Sequence, residues 1–407
     1  MKRGAAIFSG ILGLGAQVEA LEPDDVLHYR VGNVHIRPQF SASMTYNDNI
    51  FFRDDDPLKQ ILVGPKESDF INQISPGATF TFGENNINTL TFSYNYLHRF
   101  YADHSEISSG DHIASIKGAI SRGKVRATTS HSLSYLTGIQ GGNLLIAQQT
   151  DRVNFSDQVR VSFDVTPKSD VYINGVSNRL DQDDQSRLAD VATWNVASGY
   201  GFNYSDNLRF FSQISYGKQK TSTSGGSGRQ RVWDLVGGSI GAEGDFTEKL
   251  TGTLQFGYQQ RSSDLTGISA GAPTVTMELE QLLGGRTMLA ISYTRANQVN
   301  VDAADTESVL DNVRLTLRRA LGIRQKWFAS VFAGYFHNAF SSSSGSLQGR
   351  KDTSFSFGGS LDYRIQEWLS SSLSYSFADF SADIPSSPLS SIDYQVNMVS
   401  LSANVGF

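Results

Sequence analysis

The chain has 407 residues with 38 glycines, 25 phenylalanines and 16 tyrosines, only 9 prolines and no cysteine, and its formal net charge is -6. Without cysteine neither a disulfide frame nor a lipoprotein anchor is available, and past the amino terminus no window approaches the roughly 18 apolar residues of a spanning helix. No basic, aromatic-interleaved patch marks a nucleic-acid surface, so nucleic acid is not an expected partner.

Lys2 and Arg3 precede an apolar stretch from Ala5 to Ala16, and Val18, Glu19 and Ala20 form a small-x-small cleavage site. Residues 1–20 therefore read as a secretory signal peptide and residues 21–33 as a periplasmic N-terminal segment. From Val34 to Phe407 one unit recurs: an alternating stretch, a tight polar turn, another alternating stretch, then a longer polar loop. In a membrane barrel only every second residue touches lipid, so a span never appears as an apolar run. The pattern predicts an all-β, antiparallel up-and-down transmembrane barrel of about 18 strands over residues 34–407, in the outer membrane of a Gram-negative (diderm) bacterium. Outer-membrane lipids and lipopolysaccharide are its expected surroundings.

In the first strand Val34, Ile36, Phe40, Ala42, Met44 and Tyr46 share one face, and His35, Arg37, Gln39, Ser41, Ser43 and Thr45 the other. Loop 47–68 follows, carrying Asp48, Asp54, Asp55 and Asp56 together with Ile50, Phe51, Phe52, Ile61, Leu62 and Val63. That apolar weight exceeds what a solvated loop needs, so Phe51, Phe52, Ile61 and Leu62 are constriction candidates, with a solvated loop as the alternative. Phe70 to Phe82 returns, turns at 83–86, and Asn88 to Phe100 ascends again with Leu90, Phe92, Tyr94, Tyr96 and Phe100 outward.

Three segments in this third of the chain, SMTYNDNIFF (Ser43 to Phe52), SDFINQISPGATFTF (Ser68 to Phe82) and TLTFSYNYLHRFY (Thr89 to Tyr101), resemble the β-barrel porin 2 family of bacterial outer-membrane proteins. There a Tyr-Asp-Asp-Asn-Ile-like segment closes the first strand and Pro-Gly follows in the second. Tyr46, Asn47, Asp48, Asn49, Ile50, Pro76 and Gly77 occupy those places, with Asn47 a departure. The resemblance implies a porin-like partner of exopolysaccharide or capsule secretion, working with periplasmic polysaccharide-export proteins on a polysaccharide in transit.

Further tight turns are expected near 122–123, 167–168, 206–207, 247–248, 284–285, 322–323 and 366–367. Longer loops are expected at 102–110, 137–150, 181–190, 217–230, 261–272, 297–307, 341–351 and 379–392, with the short turns periplasmic. Aromatic girdles support this register. Ascending strands end on Tyr46, Tyr135, Tyr216, Tyr258, Tyr293, Tyr335 and Tyr375, descending ones on Phe82, Phe163, Tyr204, Tyr363 and Phe407. The alternating carboxy-terminal strand with its aromatic end looks like the assembly signal of outer-membrane barrels, although Val405 stands where an aromatic is frequent.

Small hydrophilic side chains such as Ser130, Ser132, Asn154, Gln158, Thr253 and Gln255 fall on the inward face, so the lumen is expected to be an aqueous passage. Arg37, Arg99, Lys117, Arg126, Arg152, Arg160, Arg209, Arg314 and Arg318 share that face against fewer acids, Glu278 and Glu280 among them. Unpaired, they would favour anions; paired or solvated, they would be neutral in effect. Asp157, Asp234, Asp311 and His131 fall on the outward face, either at a bulge or misplaced strand end or at a polar protein contact. Gly237 to Gly241 matches G-x-S-x-G inside a strand without the following helix, so no catalytic site, cofactor or metal is expected. Two functions remain: a conduit for secreted polysaccharide, or a general diffusion porin for small hydrophilic solutes.

Overall fold

The alternation forms the strands because each lets one apolar row face lipid while its backbone groups are satisfied by its neighbours. In the computed structural model the described residues are 28–406, except 55, 57–59, 61–63, 84–86, 140–148, 184–188, 224–229, 264–268, 300–306, 342–348 and 384–390. The expected signal peptide and Phe407 lie outside them. The strands are β1 (Tyr29–Val31), β2 (Val34–Asn47), β3 (Asp69–Phe82), β4 (Thr89–Tyr101), β5 (Ser109–Arg122) and β6 (Val125–Ile139). Then follow β7 (Gln149–Thr166), β8 (Ser169–Gln182), β9 (Ala189–Asn203), β10 (Leu208–Thr223), β11 (Gln230–Thr247), β12 (Leu250–Ser263) and β13 (Ser269–Gly284). The last are β14 (Thr287–Val299), β15 (Glu307–Leu321), β16 (Trp327–Ser341), β17 (Lys351–Arg364), β18 (Leu369–Asp383) and β19 (Ser391–Val405).

Strands β2 to β19 pair antiparallel in sequence order, and β19 closes on β2 from Met398↔Asn47 to Val405↔Phe40. The closed barrel therefore has 18 strands among the described residues, while β1 only folds back onto the start of β2. Following the register once around from Ser43 returns to β2 displaced by about 22 residues, which sets a strand tilt near 40° and a backbone diameter of roughly 34 Å. Wall side chains cannot fill such a bore.

The eight short connections lie where the turn residues place them, from 83–88 to 365–368. At the other end the strands run further than expected: β10 continues to Thr223, β12 to Ser263 and β18 to Asp383. The girdles explain why. On β6 and β7 the rungs Val125↔Phe163 and Tyr135↔Val153 are ten residues apart, about 25 Å of height at this tilt, which is the apolar band. Above the upper rung both faces meet water, so the alternation that reveals a membrane strand stops while the hydrogen-bonded ladder continues.

In that projecting rim the polarity inverts. Outward positions carry Lys218, Asp234, Arg295 and Asp311, whereas Trp233, Leu235, Phe340, Phe380, Tyr394 and Val396 point inward and are buried. Asp69, Asp111, Thr221, Arg261, Asn338 and Asp352 belong to the same buried inner belt. Around the extracellular end the inner wall is thus covered.

A repeated clip marks the boundary. On five ascending strands a tyrosine hydroxyl reaches diagonally to the residue two positions above its cross-strand partner: Tyr94 to His112 Nδ1 at 2.8 Å, Tyr135 to Asp151 at 2.7 Å, Tyr216 to Asp234 at 2.9 Å, Tyr293 to Asp311 at 2.7 Å and Tyr375 to Asn397 at 2.8 Å. The bulge reading of Asp234 and Asp311 is thereby corrected: the register is unbroken there, and both sit above the tyrosines, outside the band. Lys218 lies 3.3 Å from Asp234 and Arg295 3.1 Å from Asp311.

Candidate functional site in the barrel lumen

The register puts Ser41, Ser43, Ser130, Ser132, Asn154, Gln158, Thr253 and Gln255 opposite the lipid face, joined by short contacts such as Gln255 Nε2 to Ser239 Oγ at 2.9 Å. On this polar wall arginine guanidiniums lie over aromatic rings, the first group near the periplasmic end. The Arg160 guanidinium is 4.0 Å from the Tyr172 ring centre, and that of Arg209 is 5.3 Å from the same ring. Tyr172 can lie across β9 because Gly199 stands beneath it, where a Cβ would collide with the ring; Gly201 makes the same room for Arg209. Arg209 also holds Asp170 at 2.9 Å and Glu243 at 2.6 Å, so its charge is matched.

A second group lies about eight strands away, with Arg318 and Arg364 near the periplasmic end and Arg314 one residue below the upper rung at Val313. Arg314 lies 4.0 Å from the Phe332 ring centre, while Arg318 at 4.9 Å and Arg364 at 5.5 Å share the Phe328 ring. Among the described residues Arg160, Arg314, Arg318 and Arg364 form no ion pair. A guanidinium on a ring keeps its N–H edge free for an anion while the ring holds the plane in place. The remaining sequence candidates are less available. Arg99 binds Asp111 at 2.6 Å and Arg126 binds Asp164 at 2.6 Å. Arg37 and Arg152 share the inward face on β2 and β7, and Glu278 and Glu280 do so on β13, opposite Thr253 and Thr251.

Of the loop candidates, Ile61 and Leu62 lie outside the described residues. Phe52 turns to the inner wall, 5.5 Å from the Tyr394 ring, beside the buried Phe380 and Val396, and Ile50 is buried next to it. Phe51 instead meets His104 of the second loop edge-on at 5.4 Å. There a polar latch forms. His104 contacts Glu67 at 2.6 Å through Nε2 and Asp69 at 3.0 Å through Nδ1, and Arg53 donates to Glu67 at 2.5 Å.

Hydrogen bonding to Glu67, and then to Asp69, holds the His104 imidazole above its ordinary value of 6.5, while the bond from His104, aided by Arg53 against the opposing effect of burial, holds Glu67 below 4.5. The raised histidine supports the latch below pH 6.5 and loses that contribution as pH rises through its folded value; the lowered glutamate contributes above pH 4.5 and loses it as pH falls through its own. The latch is therefore tightest between about pH 4.5 and 6.5. Hydrogen exchange at residues 48–54 and 102–108 should be slowest in that window after correction for intrinsic rates; flat protection across pH 5 to 9 would contradict the latch.

Sequence reading missed Tyr172, Phe328 and Phe332 as supports and the inverted rim of Trp233, Leu235 and Phe340. The available signal was a period-2 apolar row on the opposite parity to the lipid face.

A closed 18-strand barrel with a lipid-matched apolar band, aromatic girdles and a polar lumen defines an outer-membrane β-barrel channel of the Gram-negative type. No family model matches the chain, and no curated protein matches it. Among solved structures it is similar to the siderophore receptor PiuA from Acinetobacter baumannii, at a TM-score of 0.50 and 11% identity, covering 93% of this chain and 78% of that one. It is also similar to OpdK from Pseudomonas aeruginosa, solved with vanillate, at a TM-score of 0.47 and 9% identity over 91% of this chain and 98% of that one. At such identities the likeness concerns the fold alone.

Proposed function

We propose that this barrel is a diffusion channel for small hydrophilic solutes, with a preference for anions. The observation that supports it is the two sets of arginine-aromatic contacts on the polar wall, where Arg160, Arg314, Arg318 and Arg364 are left without carboxylates among the described residues while Arg99, Arg126 and Arg209 are paired. Fixed positive charge on the low-dielectric wall of an aqueous bore raises the local anion concentration. The buried inner belt at the extracellular end suits small solutes better than a polymer.

The test is a reversal potential in planar bilayers under a KCl gradient. The purified barrel should select chloride over potassium, and replacing Arg160, Arg314 and Arg318 by serine should abolish or reverse that selectivity. Cation preference in the unmodified barrel would overturn the proposal. The polysaccharide-export reading implied by the amino-terminal resemblance makes the opposite prediction in a deletion strain: released and surface polysaccharide would fall while small-solute permeability stayed unchanged.

A further inference from the structure

One polar pair on the lipid face is not explained by the girdle. His131 and Asp157 are cross-strand partners on β6 and β7, four residues below the Tyr135↔Val153 rung and six above Val125↔Phe163, inside the apolar band. The imidazole Nδ1 is 2.7 Å from Asp157 Oδ1 and Nε2 is 2.6 Å from the Thr129 hydroxyl. The two side chains are 45% and 46% exposed, so they project from the wall rather than tuck into it. Ser177 stands beside Asp157 on β8, and Gly118 and Gly175 flank the group, giving a shallow polar patch that holds an imidazole and a carboxylate inside the apolar band.

Such a patch is costly against acyl chains and is tolerated where protein covers it. We propose that it is the contact between two copies of this chain in the membrane. A periplasmic protein cannot reach this depth, and an acyl chain offers no hydrogen bond. A second copy answers the patch with itself. A two-fold axis along the membrane normal keeps each residue at its own depth, and His131 and Asp157, being cross-strand partners, lie at nearly the same depth. The imidazole of each copy thus meets the carboxylate of the other. Asp157 Oδ2, which accepts no hydrogen bond among the described residues, is free to take one from the partner's Thr129 or Ser177 hydroxyl. Small residues at positions 118 and 175 let the walls approach closely.

The chain has no cysteine, so single cysteines report proximity without background. Ser177→Cys, oxidised in native outer membranes, should give a cross-linked product of twice the chain mass, whereas Val331→Cys, lipid-facing on the far side of the barrel, should not. Adding His131→Leu and Asp157→Leu together should reduce the Ser177→Cys product at least tenfold while the heat-modifiable barrel band persists, which separates loss of contact from loss of folding. Absence of a product at Ser177→Cys, equal products at both positions, or persistence in the double-leucine background would overturn the proposal. A product of any other mass would assign the patch to a different membrane protein and overturn it as well.

Discussion

Leu254→Arg is expected to destabilise the folded barrel by about 2 to 4 kcal/mol, and Gln255→Arg by less than about 1 kcal/mol. The two residues are neighbours on β12, but Leu254 packs outward between Ala242 and Met277 near the middle of the band, whereas Gln255 points inward onto Ser239. An arginine at 254 would have to bring its guanidinium to an interface across several ångströms of hydrocarbon; at 255 it would enter water beside other lumen arginines. Folding into phospholipid vesicles from urea, read by the mobility shift of the folded barrel, measures both. Equal losses would contradict the assignment of the two faces, and a larger loss at Gln255 would mean that they are exchanged.

Asp69→Ala is expected to release the first two extracellular loops without unfolding the barrel. Its buried carboxylate accepts from the backbone N–H groups of Ala102, Asp103 and His104 at 3.0 to 3.1 Å and contacts His104 Nδ1 at 3.0 Å. Ala102 N–H keeps the Phe70 carbonyl at 3.1 Å, but alanine leaves the Asp103 and His104 N–H groups and the His104 ring nitrogen without this partner, and at about 1 kcal/mol or more each the local order weakens by roughly 3 kcal/mol. Below Asp69 the ladder from Phe70 to Phe82 is untouched, so the folded band should survive on gels. Protease cleavage within residues 102–108 should accelerate by about two orders of magnitude, and single-channel traces should become noisier. Wild-type resistance in the alanine variant would show that the carboxylate does not hold these loops.

Much of the fold was legible because a membrane barrel has one repeating rule. Period-2 alternation in Val34 to Tyr46 or Leu250 to Tyr258 names the lipid face, and turn residues such as Pro167-Lys168 and Gly284-Gly285 fix where strands reverse. The girdle tyrosines then set the height. The same rule failed above the membrane. Lys218 to Ser222 alternates nothing against lipid, so it read as loop, yet its backbone pairs residue by residue with Gln230 to Asp234. Asp234 and Asp311 looked misplaced for a related reason: height on the strand, not parity, decides whether an outward charge meets hydrocarbon or water.

By itself the sequence determined the strands, their order, the tight turns and the two faces, since these depend on local alternation and on turn chemistry that each segment carries within itself. The tertiary structure alone decided what the lumen arginines touch. Arg160 and Arg209 meet over Tyr172 only because β7, β8, β9 and β10 close side by side, with Gly199 and Gly201 clearing the wall between them. It also decided that Phe52 rests on Tyr394, some 340 residues away, and that His131 faces Asp157 within the apolar band. Such contacts arise from stagger and closure, properties of the complete ring that no single strand encodes.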